Sequence, residues 1–148
     1  MIKFEKCKGY EDIATIPKRA TKGSAGYDFY NTDKEITIPA HGTVKIATGI
    51  KAYMDDDIVL MLYVRSSVGI KKLVVLSNGT GIVDSSYVDN SENEGNIIMA
   101  LHNTSDESQT FAPYERIMQG VFVKYYTTED DNVTEKRTGG VGSTGRKW

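Results

Sequence analysis

Apolar residues along the chain recur at the period of a β-strand rather than at the period of a helix. The apolar runs are short, rich in β-branched and aromatic residues, and separated by turn-forming residues. They predict six strands, at residues 36–38, 44–46, 58–64, 73–76, 97–101 and 120–126. Many short strands at this spacing predict an all-β sandwich or barrel.

The turn-forming residues between these runs support the same all-β organisation. Turn residues cluster at 39–42, 55–57, 78–79 and 112–115, as expected between strands. One short helix is predicted, beginning at Ser66 or Ser67 with a serine as its N-cap and running toward Lys72. Apolar periodicity stops after the last strand. We therefore expect one β domain over residues 1–126 and a mobile arm over residues 127–148.

Composition narrows the function classes. The chain has 148 residues, 39% hydrophobic and 26% charged, with a formal net charge of -2. Nucleic-acid-binding domains are usually basic, so no nucleic acid partner is expected and any phosphate must be recognised locally. The first residues carry charges where a signal peptide needs an apolar stretch, and no apolar run approaches a membrane span. We expect no membrane association and a cytoplasmic location.

The sulfur and imidazole inventory predicts no metal site. Cys7 is the single cysteine and lies in no Cys-x-x-Cys pattern, so we expect a structural thiol. His41 and His102 are too few and too isolated for zinc.

The Gly-rich end of the chain, residues 136–147, resembles an anion-binding segment more than a core-forming one. Its glycines let successive N–H groups turn toward one point, Ser143 and Thr144 add hydroxyl donors, and cations flank them. The Gly-x-x-x-x-Gly-Lys-Ser/Thr spacing of a mononucleotide-binding loop is absent. The plain alternative is a disordered Gly/Ser tail.

Short polar or glycine-rich segments between the predicted strands, here called polar islands, add further groups that could bind a nucleotide. Asp28 follows a small-residue turn at 25–27, and Arg65 precedes two hydroxyls, Ser66 and Ser67, at a helix start that could hold an anion. A further polar island at 115–119 adds Arg116 and the side-chain amide of Gln119. Taken singly, Asp28 could equally be a solvated cap and Arg65 a surface residue beside an ordinary N-cap.

The island at 77–87 is the richest. The amide of Asn78 offers a donor and an acceptor, which suits the edge of a pyrimidine. Asp84 could orient and deprotonate a water molecule, and Tyr87 could press against a sugar and exclude a 2′-hydroxyl. The alternative here is a hairpin with a polar tip.

Together these islands resemble, over roughly residues 23–145, the trimeric dUTPase family, whose five motifs appear in family order. The matching segments are 25–28, 65–67, 81–87, 116–119 and 140–145. The resemblance implies an antiparallel jelly-roll-like β-clip barrel with a flexible C-terminal arm, assembled as a homotrimer with active sites between subunits. It also implies that the arm, residues 127–148, closes over a neighbouring active site. It implies hydrolysis of dUTP to dUMP and pyrophosphate, which removes dUTP and supplies dUMP for dTMP synthesis, with Mg2+ as cofactor.

The resemblance also implies residue roles. Asp84 would position the water that attacks the α-phosphorus, Asp28 would hold Mg2+ through water, Asn78 would read uracil, and Tyr87 would pack on deoxyribose. The remaining substrate-binding positions that it implies are Arg65, Ser66, Ser67, Gly81, Val83, Arg116, Gln119, Arg137, Val141, Gly142, Ser143 and Thr144. The compressed spacing after Arg137 leaves open whether that residue or Lys136 contacts the γ-phosphate.

Three further features depart from the family pattern. Val141 stands where the family has an aromatic residue that stacks on uracil, and Ser86 replaces an acidic residue. Residues 88–94 are inserted before Gly95, and we expect an acidic, extended hairpin loop. This loop would be either a tolerated surface insertion or a docking site for a regulatory protein partner.

Two other functions compete with dUTP hydrolysis. A dCTP deaminase of the same fold would need a glutamate near C4 of the pyrimidine, and the third motif offers none. A nucleotide-gated regulatory module would use the loop at 88–95, where Glu92 and Glu94 suggest a protein contact.

Overall fold

Twelve strands and one six-residue helix make up the regular structure of residues 1–145, the part of the chain that this computed structural model describes. The predicted all-β class is confirmed. The strands are β1 (Lys3–Lys6), β2 (Lys18–Arg19), β3 (Tyr27–Tyr30), β4 (Ile36–Ile38), β5 (Thr43–Ala47), β6 (Ile50–Tyr53), β7 (Ile58–Val64), β8 (Val74–Leu76), β9 (Gly81–Asp84), β10 (Ile98–Asn103), β11 (Gln109–Phe111) and β12 (Arg116–Lys124). Arg146 and Lys147, which belong to the predicted anion-binding arm, lie outside the described residues.

The strands form four antiparallel sheets. The largest has the order β2-β3-β12-β7-β9, the second has the order β5-β10-β8, and two strand pairs, β1-β6 and β11-β4, complete the set. Within residues 1–145 the sheets do not close into a barrel, so that part of the predicted β-clip barrel is wrong. The physical reason is that β8 and β9, although consecutive, hydrogen-bond to different sheets and leave β9 as an edge strand.

All six predicted strands are present: those at 36–38 and 58–64 have the predicted bounds, and the other four have shifted ends. Leu73 has a left-handed backbone (φ 55°) and lies before β8, while Ile97 precedes β10. The strands that sequence periodicity missed are β1, β2, β3, β6, β9 and β11. They are two to four residues long, and β3 and β9 lie inside the polar islands, so their apolar pattern is too short to register.

The single helix, α1 (Ser66–Lys71), is where it was predicted, but its cap is not. Arg65 is the N-cap, with an extended backbone and no side-chain cap hydrogen bond, so the predicted serine cap is wrong. The Arg65 carbonyl accepts hydrogen bonds from the N–H groups of Val68 and Gly69, because β7 delivers its last residues directly into the helix. No helix in residues 1–145 has the length and apolar character needed to cross a membrane.

One hydrophobic core joins all four sheets. Leu60 of β7, Leu101 of β10, Phe111 of β11 and Ile50 of β6, one from each sheet, are buried members of the same cluster. Inward side chains from every sheet therefore pack against one another, and the sheets cannot separate without exposing that cluster to water.

Cys7 is buried and unpaired, in keeping with a structural thiol. Burial, and next the neighbouring Glu94 carboxylate, raise the pKa of the Cys7 thiol to about 12. His41 bonds to Asp106 and His102 to Thr43. No group of three or more His, Cys, Asp or Glu side chains that could hold a metal occurs in residues 1–145.

Replacing Leu60 by alanine tests the central position of β7. Leu60 is fully buried and β7 pairs on both sides, so the cavity left behind should lower the free energy of unfolding by about 2–5 kcal/mol. Urea denaturation measures this. The matched control is Val133→Ala, at an exposed position of the arm, which should change the free energy of unfolding by less than about 0.5 kcal/mol; equal effects would contradict the assignment of the core.

Candidate active site

A cavity of about 530 Å³ opens beside β9 and β10, and seven predicted substrate-binding positions line it. This volume lies within the range of small-molecule sites. The seven positions are Asn78, Gly81, Val83, Tyr87, Arg137, Val141 and Gly142. Sequence reasoning missed other lining residues, including Lys45 and the apolar Ile97 and Ile98, because their strand period predicts only core positions.

The chain crosses from one sheet to the other along the floor of this cavity. A turn at 77–80, with Gly79 at φ 72°, connects β8 to β9. Since these strands pair with β10 and β7 respectively, the segment is a link between sheets, and the hairpin alternative is wrong. A Cβ at Gly81 would lie 2.9 Å from the Leu62 Cβ, so only glycine lets β9 approach β7 this closely.

Tyr87 forms a rigid wall of the cavity. Its hydroxyl donates to the Asn96 carbonyl (2.8 Å) and accepts from the Asn93 amide (2.8 Å). The Arg137 guanidinium carbon lies 5.5 Å from the ring centroid, within cation–π range. Burial is the main cause that raises the pKa of Tyr87. The ring is therefore fixed at its hydroxyl end and covered on one face by a cation.

Asp84 at the end of β9 is tied to the arm through Ser86. The Ser86 hydroxyl donates to Asp84 Oδ1 (2.5 Å), as does the Ser86 N–H (3.1 Å). Arg137 Nε in turn donates to the Ser86 hydroxyl (3.0 Å). In the sequence, Ser86 stands out only as a departure from the family pattern. Its position between Asp84 and Arg137 depends on the fold, which brings Arg137 to it across 51 residues.

The second group of predicted residues is a charged cluster around Asp28. This carboxylate is nearly buried and lies 3.4 Å from Arg65 Nε and 3.2 Å from Arg116 Nη1. The solvated-cap alternative for Asp28 is therefore wrong. In the sheet register Asp28 is opposite Gln119, and a side chain at Gly26 would collide with the Gln119 amide. Ser66 and Ser67 follow Arg65 at the start of α1.

A single chain keeps the two groups apart. Between β3, which carries Asp28, and β9, which carries Asp84, lie β12 and β7. Through β12, Asp28 aligns with Tyr63, whereas Asp84 aligns with Val59. Three strand spacings and four residues of offset place the two carboxylates on the order of 20 Å apart. The structure thus unites the third-motif residues but does not bring Asp28 to them.

The arm contains neither helix nor strand between residues 127 and 145, and its glycine-rich part lies against its own chain. Arg137 is the arm's cation at the cavity, and it donates to the Gly140 carbonyl (2.8 Å) and the Ser143 hydroxyl (3.2 Å). Val141 lines the cavity while remaining largely exposed. Ser143 and Thr144 are exposed to solvent. Closure over a neighbouring subunit stays a prediction.

The inserted segment is a compact series of turns, so the predicted extended hairpin is wrong. Asp89, Glu94 and Gly95 have left-handed backbones (φ 57°, 63° and 85°), which fold the segment back on itself. The buried Asn90 side chain donates to the Tyr87 carbonyl and accepts from the N–H groups of Glu92 and Asn93. Its internal hydrogen bonds replace the strand pairing that a hairpin would need.

The sequence of the chain is similar to those of one known protein family. The dUTPase family model matches residues 12–145. The deoxyuridine 5'-triphosphate nucleotidohydrolase of Lactococcus lactis is 42% identical over 146 residues, covering 96% of this chain and 96% of that protein. The protein of the same name from Psychrobacter cryohalolentis is 36% identical, with 93% and 91% coverage.

Solved structures share the fold. The dUTPase of Streptococcus mutans superposes with a TM-score of 0.79 at 38% identity, over 86% of this chain and 98% of that one. A dUTPase from phage phi11 of S. aureus, whose structure reveals the coordination of a structural Mg(II) ion, has a TM-score of 0.73 at 19% identity, over 91% and 97%. At that identity the likeness shows the fold alone.

The hydrogen bonds that hold Asp89 of the inserted segment predict that the free energy of unfolding depends on pH. Asp89 accepts from Lys51 Nζ (2.7 Å) and the Tyr53 hydroxyl (2.6 Å), and Lys51, followed by Tyr53, holds the pKa of Asp89 below its ordinary 3.8. A lowered pKa stabilises the fold above the unfolded value and loses that contribution as pH falls through the folded value.

Asp89→Asn should therefore lower the free energy of unfolding by about 0.5–1 kcal/mol at pH 7, since Asp89 is half-exposed although Lys51 is mostly buried. The difference from the parent should shrink below about pH 4. Urea titrations between pH 3 and 7 measure it, with the exposed Asp12→Asn as control. A difference that grows on acidification would contradict the anchor.

Proposed function

The chain belongs to the dUTPase family and is a dUTP diphosphatase, converting dUTP to dUMP and pyrophosphate, and we propose that the cavity walled by Tyr87 binds its nucleotide. The observation that carries this proposal is that Asn78, Tyr87 and Arg137 line one cavity, and that Arg137 is hydrogen-bonded to the Asp84–Ser86 pair. The reaction removes dUTP and supplies dUMP for dTMP synthesis.

Base and sugar selection follow from the cavity walls. Asn78 offers a carbonyl and an amide to the edge of uracil. The Tyr87 ring cannot swing away, because Asn93 and Asn96 hold its hydroxyl, and a fixed ring beside the sugar leaves no room for a 2′-hydroxyl. Val141 covers the mouth without an aromatic face to stack on the base.

Asp84 is the proposed general base. Its Oδ1 accepts from Ser86, and no donor in residues 1–145 is bonded to Oδ2, which can therefore accept from a water molecule. That water would attack the α-phosphorus in line with the departing pyrophosphate and pass its proton to Asp84. Positioning and neutralisation of charge supply most of the catalysis in phosphoryl transfer.

Magnesium fits the donor set as an ion that arrives with the triphosphate. Mg2+ commonly keeps several waters and contacts one or two carboxylates together with substrate phosphates. Asp28 is such a lone carboxylate, and each of its oxygens retains acceptor capacity beside the arginines. Asp28 would hold the ion through water, and the bound ion would neutralise charge on the phosphates.

An active site shared between chains would explain why the Asp28 cluster and the cavity residues of one chain lie apart. Arg65, Ser66, Ser67, Arg116 and Gln119 are the proposed phosphate contacts, and they surround or neighbour Asp28. One α-phosphate cannot contact both Gln119 and the water held by Asp84 of the same chain when the two groups lie on the order of 20 Å apart. We propose a homotrimer in which a neighbouring chain brings its Asp28 cluster to this cavity.

The arm completes the site in this proposal. Gly142 lines the cavity, and the exposed hydroxyls of Ser143 and Thr144 follow it, ready to donate to the β- and γ-phosphates. Arg137, rather than Lys136, is the cation that the fold brings to the cavity, so it is the proposed γ-phosphate contact. Residues 1–126 would then form the catalytic domain and residues 127–148 the closing arm.

The competing functions find no support in the described cavity. None of its lining residues within 1–145 is a glutamate, the general base that a deaminase would need. In the insertion, Asp89, Glu92 and Glu94 each bond within the chain.

The first test measures pyrophosphate release from dUTP, dCTP, dTTP and UTP with Mg2+ present. Only dUTP should be turned over, and Asp84→Asn should bind it normally while kcat falls by about 10²–10⁴. The exposed Asp33→Asn is the matched control and should keep the parent rate. Turnover of UTP, or an active Asp84→Asn enzyme, would contradict the assignments.

The shared site can be tested by complementation. Asp28→Asn and Asp84→Asn chains, each inactive alone, are refolded together at equal amounts. If the two carboxylates come from different chains, about a quarter of the sites in random mixed trimers carry both native residues, so about a quarter of the parent activity should return. Light scattering checks that each variant is still a trimer. No recovery among intact trimers would sink the shared-site model.

A further inference from the structure

The inserted segment, residues 88–95, is folded before anything binds to it. The Asn90 amide donates to the Tyr87 carbonyl (2.8 Å) and to the Asn93 side chain (2.7 Å). The Asn90 carbonyl oxygen accepts from the N–H groups of Glu92 (3.0 Å) and Asn93 (3.1 Å). Since Asn90 is buried, these four bonds give Ser91, Glu92 and Asn93 a fixed arrangement.

Two of the segment's acidic side chains attach it to the β1–β6 pair. Asp89 bonds to Lys51 and Tyr53, and Glu94 accepts from the Lys8 N–H (3.0 Å) and lies 3.5 Å from Lys51. Lys51 itself is mostly buried. The third acidic residue, Glu92, is thereby held on the opposite side, toward the arm.

Glu92 and Ser91 grip the backbone of the arm. Glu92 Oε2 accepts from the Gly140 N–H (2.6 Å), and the Ser91 hydroxyl donates to the Thr138 carbonyl (2.5 Å). A Cβ at Gly139 would lie 2.7 Å from Glu92 Oε1, and one at Gly140 would lie 2.9 Å from Oε2. Neither glycine has a left-handed backbone, so a side chain at either position would have to displace the Glu92 carboxylate, and at Gly139 also the Ser143 side chain.

We propose that residues 88–95 are the docking site for residues 138–140 of the arm, with Glu92 as the positioning residue that holds them. This inference deepens the proposed function and rests on it in one respect, the role of the arm in covering the nucleotide. The insertion is then neither a passive surface loop nor a partner-binding loop.

Docking of residues 138–140 has a direct consequence for the active site. It places the preceding residue, Arg137, over the Tyr87 ring and against the Ser86 hydroxyl, which bonds to Asp84. Asn93 of the same segment donates to the Tyr87 hydroxyl. The insertion therefore aligns the arm cation, the sugar wall and the catalytic carboxylate together, and a lower docked fraction weakens apparent substrate affinity in proportion.

The test compares Glu92→Gln with Glu129→Gln, a charge-matched control in the exposed part of the arm. Trypsin cleavage after Lys136 and Arg137 is followed in the free protein and with a non-hydrolysable imido analogue of dUTP. Glu92→Gln should be cleaved about three to ten times faster without nucleotide, because cleavage follows the undocked fraction of the arm. KM for dUTP should rise as the docked fraction falls, with kcat changed less than about twofold. The control should match the parent.

A double-mutant cycle separates docking from a merely structural role. Gly140→Ala should raise KM because its Cβ meets the Glu92 carboxylate, and in a Glu92→Ala background the same substitution should add no further increase. Parent-like cleavage and KM in Glu92→Gln, or fully additive effects in the cycle, would overturn the proposal. Cleavage of the free protein needs no substrate, so an inactive parent would refute the proposed function while leaving the docking result interpretable.

Discussion

The pairing of β7 on both of its edges is the constraint on which the rest of the molecule depends. On one side β7 fixes β12, which carries Arg116 and Gln119, and on the other it fixes β9, which ends at Asp84. Its own end delivers Arg65 into the N-cap of the helix. Because register in an antiparallel sheet is set over the whole strand, a slip of β7 would displace every one of these groups at once.

That same pairing keeps Asp28 and Asp84 of one chain apart. β7 and β12 lie between β3 and β9, and the strand spacing fixes the separation of Asp28 from Asp84. In the proposed trimer, each chain would offer one half-site toward either edge of the sheet. Association of chains, rather than rearrangement within one chain, would bring the two half-sites together.

The insertion links the stability of the fold to the order of the arm. Asn90 and Asp89 hold it against the body of the chain, while Glu92 and Ser91 hold the arm. An arm of glycines has a high entropy cost of ordering, and a preformed acceptor and donor reduce the number of positions that the substrate itself must fix. Glu92 thus supports, through the backbone, what Arg137 and Ser143 contribute through side chains.

The sequence by itself determined the all-β class, six of the strands, the helix at 66–71 and the grouping of Asn78, Gly81, Val83 and Tyr87, because these depend on periodicity and on short spacing. Tertiary structure alone decided the burial of Asp28 between Arg65 and Arg116, the bridge from Asp84 through Ser86 to Arg137, and the grip of Glu92 on Gly140. These partners are up to 88 residues apart. Local pattern specifies which way a side chain faces on its own strand, but which side chains meet depends on strand register and on how the loops fold back.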